Sequence, residues 1–197
     1  MRDYVRFSVV LAVISAVAGG LLALVNSFTE PKISAYQALA EANAYRQVLP
    51  AADRFESLPA DQLAKVQQNP DTAGIQDIKV GTKADQPVGW VYKVATYGYS
   101  SDIQLLVGIG VDAKVGGVYL LSQNDTPGLG AKIAEADFIE QSAIQQAQPQ
   151  HDLKVSKDGG QVQAVAGATI SSRAVTRGIN QAFQVFRNQT GQGKPAE

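Results

Sequence analysis

A cluster of hydroxyl side chains next to small residues lies near the C-terminus, in the stretch AVAGATISSRAV. Its members are Gly167, Ala168, Thr169, Ser171 and Ser172. Small residues allow backbone N–H groups to approach a ligand closely. The hydroxyls come at the start of a predicted helix, where unpaired N–H groups and the helix dipole favour an anion such as a phosphate. Because a Ser or Thr before a helix is usually an N-cap residue, the pattern alone favours a helix cap.

Two further features belong with this cluster. Arg173 and Arg177 share one face of the predicted helix and add positive charge there. Upstream, the segment TPGLG begins at Thr126. Gly128 and Gly130 permit positive φ angles and close backbone approach, and Leu129 offers an apolar surface for a planar ring. The segment also fits a simple Pro-Gly turn between a strand and a helix.

Composition excludes several classes of function. The chain has 197 residues, 17 basic and 18 acidic, and no basic stripe interleaved with aromatic residues, so no nucleic-acid partner is expected. The lack of cysteine excludes disulfides, iron–sulfur clusters and thiolate zinc sites. His151 is the single histidine and lies in a polar segment, so the sequence gives little support for a zinc site or a hydrolase triad. Any redox role therefore requires an organic cofactor.

The N-terminal segment predicts a membrane anchor. Residues 7–28 carry no charge, and as a helix they span about 33 Å, enough to cross a lipid bilayer. Arg2 and Arg6 precede the segment, so the N-terminus is expected in the cytoplasm and the rest of the chain on the outer, periplasmic side. A cleaved signal peptide with an A-x-A site at residues 16–18 is the alternative, but the apolar residues continue past that site and favour a retained single-pass anchor.

The elements that position these residues follow from the hydrophobic pattern. We predict helices over 33–49, 61–68, 131–145 and 171–188, and strands over 87–99, 103–111, 114–123 and 162–165. The last helix has one apolar stripe, formed by Val175, Ile179, Phe183 and Phe186. The pattern predicts an α+β fold, an antiparallel sheet flanked by helices after one transmembrane helix. The predicted domains are the cytoplasmic N-terminus and transmembrane helix (1–28), a helical linker (29–70), the sheet domain (71–190) and a flexible tail (191–197).

Three segments in order, GYSSDIQLLVGI, TPGLGAKI and GATISSRAV, resemble the membrane-anchored FMN-binding domain family. This family includes the RnfG component of the Rnf electron-transport complex and a related component of the sodium-translocating NADH:quinone oxidoreductase. The resemblance implies one FMN per chain, joined through its phosphate to the Thr169 hydroxyl by a separate flavin transferase, with residues 126–130 beside the flavin. It implies nine cofactor-binding residues: Thr126, Gly128, Leu129, Gly130, Gly167, Ala168, Thr169, Ser171 and Ser172.

The resemblance also implies a role and partners. The expected function is electron relay within a membrane-bound, ion-translocating oxidoreductase complex, with the other membrane subunits as partners. The flavin would carry the chemistry, and no independent catalytic residue is expected. The chain departs from the family pattern at Ala166, where Ser or Thr is usual, and at Gln163, where an acidic residue is common. The alternative hypothesis is a flavin-free, membrane-anchored binding or assembly module in which these departures mark a decayed acceptor site.

Overall fold

The computed structural model describes residues 2–191, so the predicted tail beyond Gly191 lies outside the described residues. Contacts divide the chain into two units, residues 1–42 and 43–197. The first unit is helical, and its helix, α1, extends over Arg2–Val48. We predicted a separate helix after Pro31, but α1 continues through this residue. A single proline removes one N–H donor and often kinks a helix without ending it.

The N-terminal part of α1 is long and apolar enough to cross a membrane, as the sequence predicts. Its apolar side chains, among them Leu11, Ile14 and Leu22, are exposed. Such exposure is costly in water and is expected where the surroundings are themselves apolar.

The second unit contains one antiparallel sheet. Within the described residues its five strands pair in chain order: β1 (Arg54–Ser57), β2 (Ile75–Lys83), β3 (Gln86–Tyr97), β4 (Asp102–Gly110) and β5 (Val115–Ser122). Three of the four predicted strands correspond to β3, β4 and β5, and the predicted antiparallel meander is confirmed. The segment 29–70, predicted as a helical linker, contains β1 in addition to the short helix α2 (Ala60–Gln67).

β1 and β2 were missed for a physical reason. In β2 the pairing register shifts between Ile75 and Asp77, so the buried Ile75 and Ile78 are three residues apart and the two-residue period of a strand is broken. β1 has only four residues and no buried side chain, so its sequence carries no hydrophobic alternation.

The sheet has a helix on each face. The last helix, α5 (Thr169–Thr190), packs on one face through the predicted apolar stripe, whose four members are fully buried. On the other face the end of α1 packs with Tyr45, Val48 and Leu49 against the sheet. A Cβ on Gly108 would lie 2.0 Å from the Val48 carbonyl oxygen, so only a glycine allows this helix end to approach so closely.

The region between β5 and α5 differs from the prediction. The single helix predicted over 131–145 is wrong. The structure has a 3₁₀ turn (Gly130–Ala134) and two short helices, α3 (Ala136–Ile139) and α4 (Ser142–Gln145). Their buried side chains, Ile133, Phe138 and Ile144, are five and six residues apart, a spacing that one continuous helix cannot direct to the same side.

The strand predicted over 162–165 is also wrong, because this segment forms only an isolated parallel bridge between Val155 and Val162. That bridge closes a loop that contains a 3₁₀ turn, Ser156–Asp158. The helix predicted over 171–188 is present but begins two residues earlier, at Thr169.

Candidate functional site

Three chain segments meet around a cavity of about 390 Å³. They are the turn between β3 and β4, the segment after β5, and the first turn of α5. The lining residues are Tyr99, Asp125, Thr126, Leu129, Gly130, Gly167, Ala168, Thr169, Ile170 and Ser171. The TPGLG segment and the GAT stretch, about 40 residues apart in sequence, are thus brought together. Of the nine residues predicted to bind the cofactor, Gly128 and Ser172 are not among the lining residues.

Thr169 lies at the first turn of α5 but does not cap it. The N-cap residue is Ala168, and no side chain accepts a capping hydrogen bond at this end of the helix among the residues described. The first bond of the helix runs from the Ser172 N–H to the Ala168 carbonyl, so the N–H groups of residues 169–171 have no partner within the helix. The helix start therefore keeps its donors available to an anion, and the helix-cap interpretation of Thr169 is wrong.

The two serines of the motif are buried, and each has a specific partner. Ser172 is fully buried. Its hydroxyl donates to the Ala168 carbonyl oxygen and accepts from the Val165 N–H, both at 3.0 Å. It therefore holds the turn that leads into α5. Ser171 is 1% exposed, and its hydroxyl donates to Oδ2 of Asp125 at 2.5 Å.

Asp125 is a central residue of the site that the sequence did not reveal. Its carboxylate is buried and joins the three segments around the cavity, since it accepts from Ser171 and from both the N–H and the hydroxyl of Ser100, the latter two at 3.0 Å. Burial alone raises the pKa of Asp125, but the hydrogen bonds from Ser171 and Ser100 outweigh it and hold the pKa below its ordinary value. The buried Asp125 carboxylate thus holds together the chain segments that form the cavity wall.

The cation that contacts Thr169 is a lysine and neither of the two arginines noted in the sequence. Arg173 donates to both carboxylate oxygens of Asp158, at 2.8 and 2.6 Å, and this pair lowers the pKa of Asp158. Arg177 donates to the Tyr97 carbonyl oxygen at 2.6 Å. The ammonium of Lys157 donates to Oγ1 of Thr169 at 3.0 Å. The sequence did not show that both arginines already have hydrogen-bond partners, because these partners lie in segments distant from α5 in the sequence.

The rim of the cavity is apolar. Leu129, Ile170 and Tyr99 are 47%, 49% and 64% exposed, respectively. Gly167 has a φ of +77°, and a Cβ at this position would lie 3.1 Å from Cδ2 of Leu129. The turn before α5 therefore packs so closely against the TPGLG segment that a side chain at position 167 would press against Leu129. Gly128 has a φ of +76°, the backbone conformation that the TPGLG turn requires.

The donors and the apolar rim together fit a flavin nucleotide. Unpaired helix N–H groups, the Thr169 hydroxyl and the Lys157 ammonium suit a phosphate. Exposed apolar side chains around a cavity of this size suit a planar ring. Two aromatic residues of β3 are directed away from solvent: Tyr92 is part of the core, and Trp90 is partly buried against it.

The two residues at which the chain departs from the family pattern, Gln163 and Ala166, are not among the lining residues of this cavity. Gln163 has its backbone N–H and carbonyl bound by the side chain of Gln141, at 2.8 and 2.9 Å. Ala166 is exposed. His151 is exposed in a loop, as predicted. The turn before α5 is therefore held by contacts that use neither a hydroxyl at 166 nor a carboxylate at 163.

Two family models match the chain. The FMN-binding domain matches residues 98–184, which contain all the lining residues of the cavity, and the RnfG N-terminal region matches residues 2–48, which correspond to α1. The fold and the site thus define a flavin-binding domain with an N-terminal helix of membrane-spanning length.

The relatives specify the class further. The RnfG-type component of the Na(+)-translocating ferredoxin:NAD(+) oxidoreductase complex of Acetobacterium woodii is 34% identical over 93% of this chain and 91% of its own length. Its counterpart in the ion-translocating oxidoreductase complex of Methanosarcina acetivorans is 32% identical, over 96% of this chain and 98% of its own. The crystal structure of Shewanella oneidensis NqrC has a TM-score of 0.48 at 21% identity, covering 59% of this chain and 61% of that one. The chain belongs to the RnfG family of components of the Rnf ion-translocating oxidoreductase complexes.

Proposed function

We propose that this chain carries FMN joined through its phosphate to Oγ1 of Thr169, and that it relays electrons within a membrane-bound, ion-translocating oxidoreductase complex. The observation that carries the proposal is the position of Thr169. Its hydroxyl lies at a helix start without a side-chain cap, contacts an ammonium group and borders a cavity with an apolar rim. The match to the FMN-binding domain supports FMN as the cofactor.

The phosphate end of the cofactor has a matching environment. A phosphodiester carries one negative charge at neutral pH, and the N–H groups at the start of α5 favour that charge. Esterification also prevents the flavin from diffusing away, which matters for a domain outside the cytoplasm. The residues that would hold the phosphate are Thr169, Ile170, Ser171 (through their backbone N–H groups) and Lys157 (through its ammonium).

The ring end of the cofactor would contact Leu129, Ile170 and Tyr99. When bound, the flavin supplies the redox chemistry by accepting and donating electrons. The protein binds and orients the ring, and electron relay requires no acid, base or nucleophile from this chain.

The partners follow from the relatives, which are subunits of multi-subunit complexes. We propose that α1 anchors the chain in a lipid bilayer beside other subunits of such a complex, that its N-terminus is cytoplasmic, and that a flavin transferase acts on the domain outside. Arg2 and Arg6 support this orientation through the positive-inside rule. A reporter fused after Glu197 that is active only in the cytoplasm would contradict it.

Intact mass spectrometry tests the covalent attachment. The wild-type chain, T169V and T190V are produced in cells that contain the flavin transferase. T190V is the matched control, because Thr190 lies near the other end of α5 and its hydroxyl donates to the Phe186 carbonyl. We expect wild type and T190V to gain the mass of FMN minus water, and T169V to gain nothing.

The same experiment distinguishes the alternative. If the wild-type chain gains no mass and shows no flavin absorption while still co-purifying with its membrane partners, the flavin-free assembly module is supported. If T169V retains the added mass, FMN is attached at another residue and the assignment of Thr169 is wrong.

A further inference from the structure

Lys157 is the one side chain whose charge contacts the acceptor hydroxyl among the hydrogen bonds described. Its ammonium donates to Oγ1 of Thr169 at 3.0 Å, although the two residues are separated by 12 positions in sequence. Lysine and threonine make this contact at the surface, where a long exposed side chain has many alternative positions. A fixed geometry of this contact therefore requires that the turn carrying Lys157 direct the side chain toward Thr169.

The turn that carries Lys157 has a fixed base. Val155 and Val162 are fully buried and form a parallel bridge, and the Ser156 N–H donates to the Val162 carbonyl at 2.8 Å. The 3₁₀ turn ends at Gly159, whose φ is +80° and which reverses the chain. Lys157 thus extends from a turn whose two ends are anchored in the core.

A second contact connects the same turn to α5. Asp158 follows Lys157 in the turn, and Arg173 lies one helical turn after Thr169 on the same face of α5. Arg173 binds both oxygens of Asp158 in a bidentate pair. Two neighbouring residues of the turn are therefore matched to two residues on one helix face, and the Arg173–Asp158 pair orients Lys157 toward Thr169.

We propose, resting on the proposed function, that Lys157 is the charge partner of the flavin phosphate. In the unmodified chain its ammonium orients the Thr169 hydroxyl, and after esterification it pairs with a charged, non-bridging oxygen of the phosphodiester. No covalent bond to Lys157 forms or breaks, so Lys157 is a positioning residue. An ester oxygen is a weak acceptor, whereas the non-bridging oxygens carry the charge, so the ammonium gains a stronger partner when Thr169 is modified.

The rate of flavin attachment provides the first test. Full-length wild type, K157M, K157R and K154M are induced in cells that contain the flavin transferase, and intact mass gives the modified fraction at successive times. Lys154 is the matched control, because it is an exposed lysine on the same loop. We expect K157M to be modified about fivefold more slowly, as for the loss of one partly screened charge contact, and K157R and K154M to stay within about twofold of wild type.

The ³¹P resonance of the purified, modified chain provides a readout that a purely structural role would not change. We expect the phosphodiester resonance of K157M to be displaced from that of wild type, while K157R and K154M coincide with wild type. Because an exposed ion pair is screened by salt, raising NaCl from about 50 mM to about 500 mM moves the wild-type resonance toward that of K157M.

The outcomes separate this inference from the proposed function. If wild type is modified and K157M matches it in both rate and ³¹P resonance, Lys157 is not the charge partner, while FMN attachment to Thr169 stands. If wild type gains no flavin, both proposals fail. If K157M is slow but its ³¹P resonance equals that of wild type, the contact serves only the unmodified chain and the phosphate pairing is wrong.

Discussion

The buried carboxylate of Asp125 provides the most demanding prediction about the cavity wall. It accepts three hydrogen bonds, one from Ser171 and two from Ser100. In D125N the amide oxygen can face Ser100 and the amide N–H₂ can face the Ser171 hydroxyl, which then accepts. All three contacts survive without the charge. In D125A the Ser171 hydroxyl and the Ser100 N–H lose this acceptor, while the Ser100 hydroxyl keeps the Asn124 carbonyl oxygen as an acceptor.

The expected cost follows from these contacts. Hydrogen bonds to a charged group contribute more than neutral ones, so D125N is expected to lower the free energy of unfolding by about 2 kcal/mol. D125A leaves the buried Ser171 hydroxyl without an acceptor and is expected to cost about 4 kcal/mol. For a domain of this size these losses lower the Tm by roughly 6 and 12 °C.

The stability that the Asp125 carboxylate contributes is expected to decrease as the pH falls. The pKa of Asp125 is lower in the folded chain than its ordinary value, so on acidification the unfolded chain binds this proton first. The stability that the carboxylate contributes is therefore full above about pH 5 and declines below about pH 4. The Tm difference between wild type and D125N is expected to narrow over that range.

Thermal unfolding of the unmodified, detergent-purified chain measures these differences. Trp90 is the single tryptophan and packs edge-on against Phe186 at 5.6 Å between ring centroids, so its fluorescence reports on the core. D102N is the control, because Asp102 is exposed at the start of β4, and its Tm is expected within about 1 °C of wild type. Equal Tm values for wild type and D125N, or a difference independent of pH, would refute the role of the carboxylate.

Two further predictions concern packing. In G130A the new Cβ lies 2.5 Å from the Cβ of Asp125 and is expected to cost about 2 kcal/mol. In G128A the new Cβ has no atom within 4 Å, so the only expected loss comes from placing alanine at a positive φ, about 1 kcal/mol of the free energy of unfolding. Urea midpoints compare the two, and equal losses would contradict the close approach at Gly130. F186A removes a fully buried ring and is expected to cost about 4 kcal/mol and to shift Trp90 emission to the red. Unchanged emission would show that the two rings are not in contact.

Much of the fold could be predicted because its periodic elements carry a clear signal. Strands β3, β4 and β5 are each at least eight residues long and rich in apolar residues, and α5 has an uninterrupted apolar stripe. The segments between β5 and α5 could not be predicted. There each buried side chain belongs to its own short turn, and no repeat connects Ile133 with Phe138.

The position of Thr169 at a helix start could be predicted, but its surroundings could not. Thr169 and the TPGLG segment are recognisable from consecutive residues. Asp125 contacts Ser171, and Lys157 contacts Thr169. These partners are 46 and 12 positions away, and only the folded chain brings them together. The same reason explains why Arg173 seemed available in the sequence, although Asp158 engages it in the structure.

The unequal burial of the three hydroxyls after Ala168 has a consequence for regioselectivity. Ser171 and Ser172 are enclosed by the fold, whereas Thr169 is only half-buried and borders the cavity. A modifying enzyme that approaches from solvent therefore encounters one nucleophile of the three. On the proposed function, we therefore expect the tertiary structure to determine which hydroxyl is modified. We also expect a flavin transferase to modify the folded domain faster than an extended peptide with the same sequence.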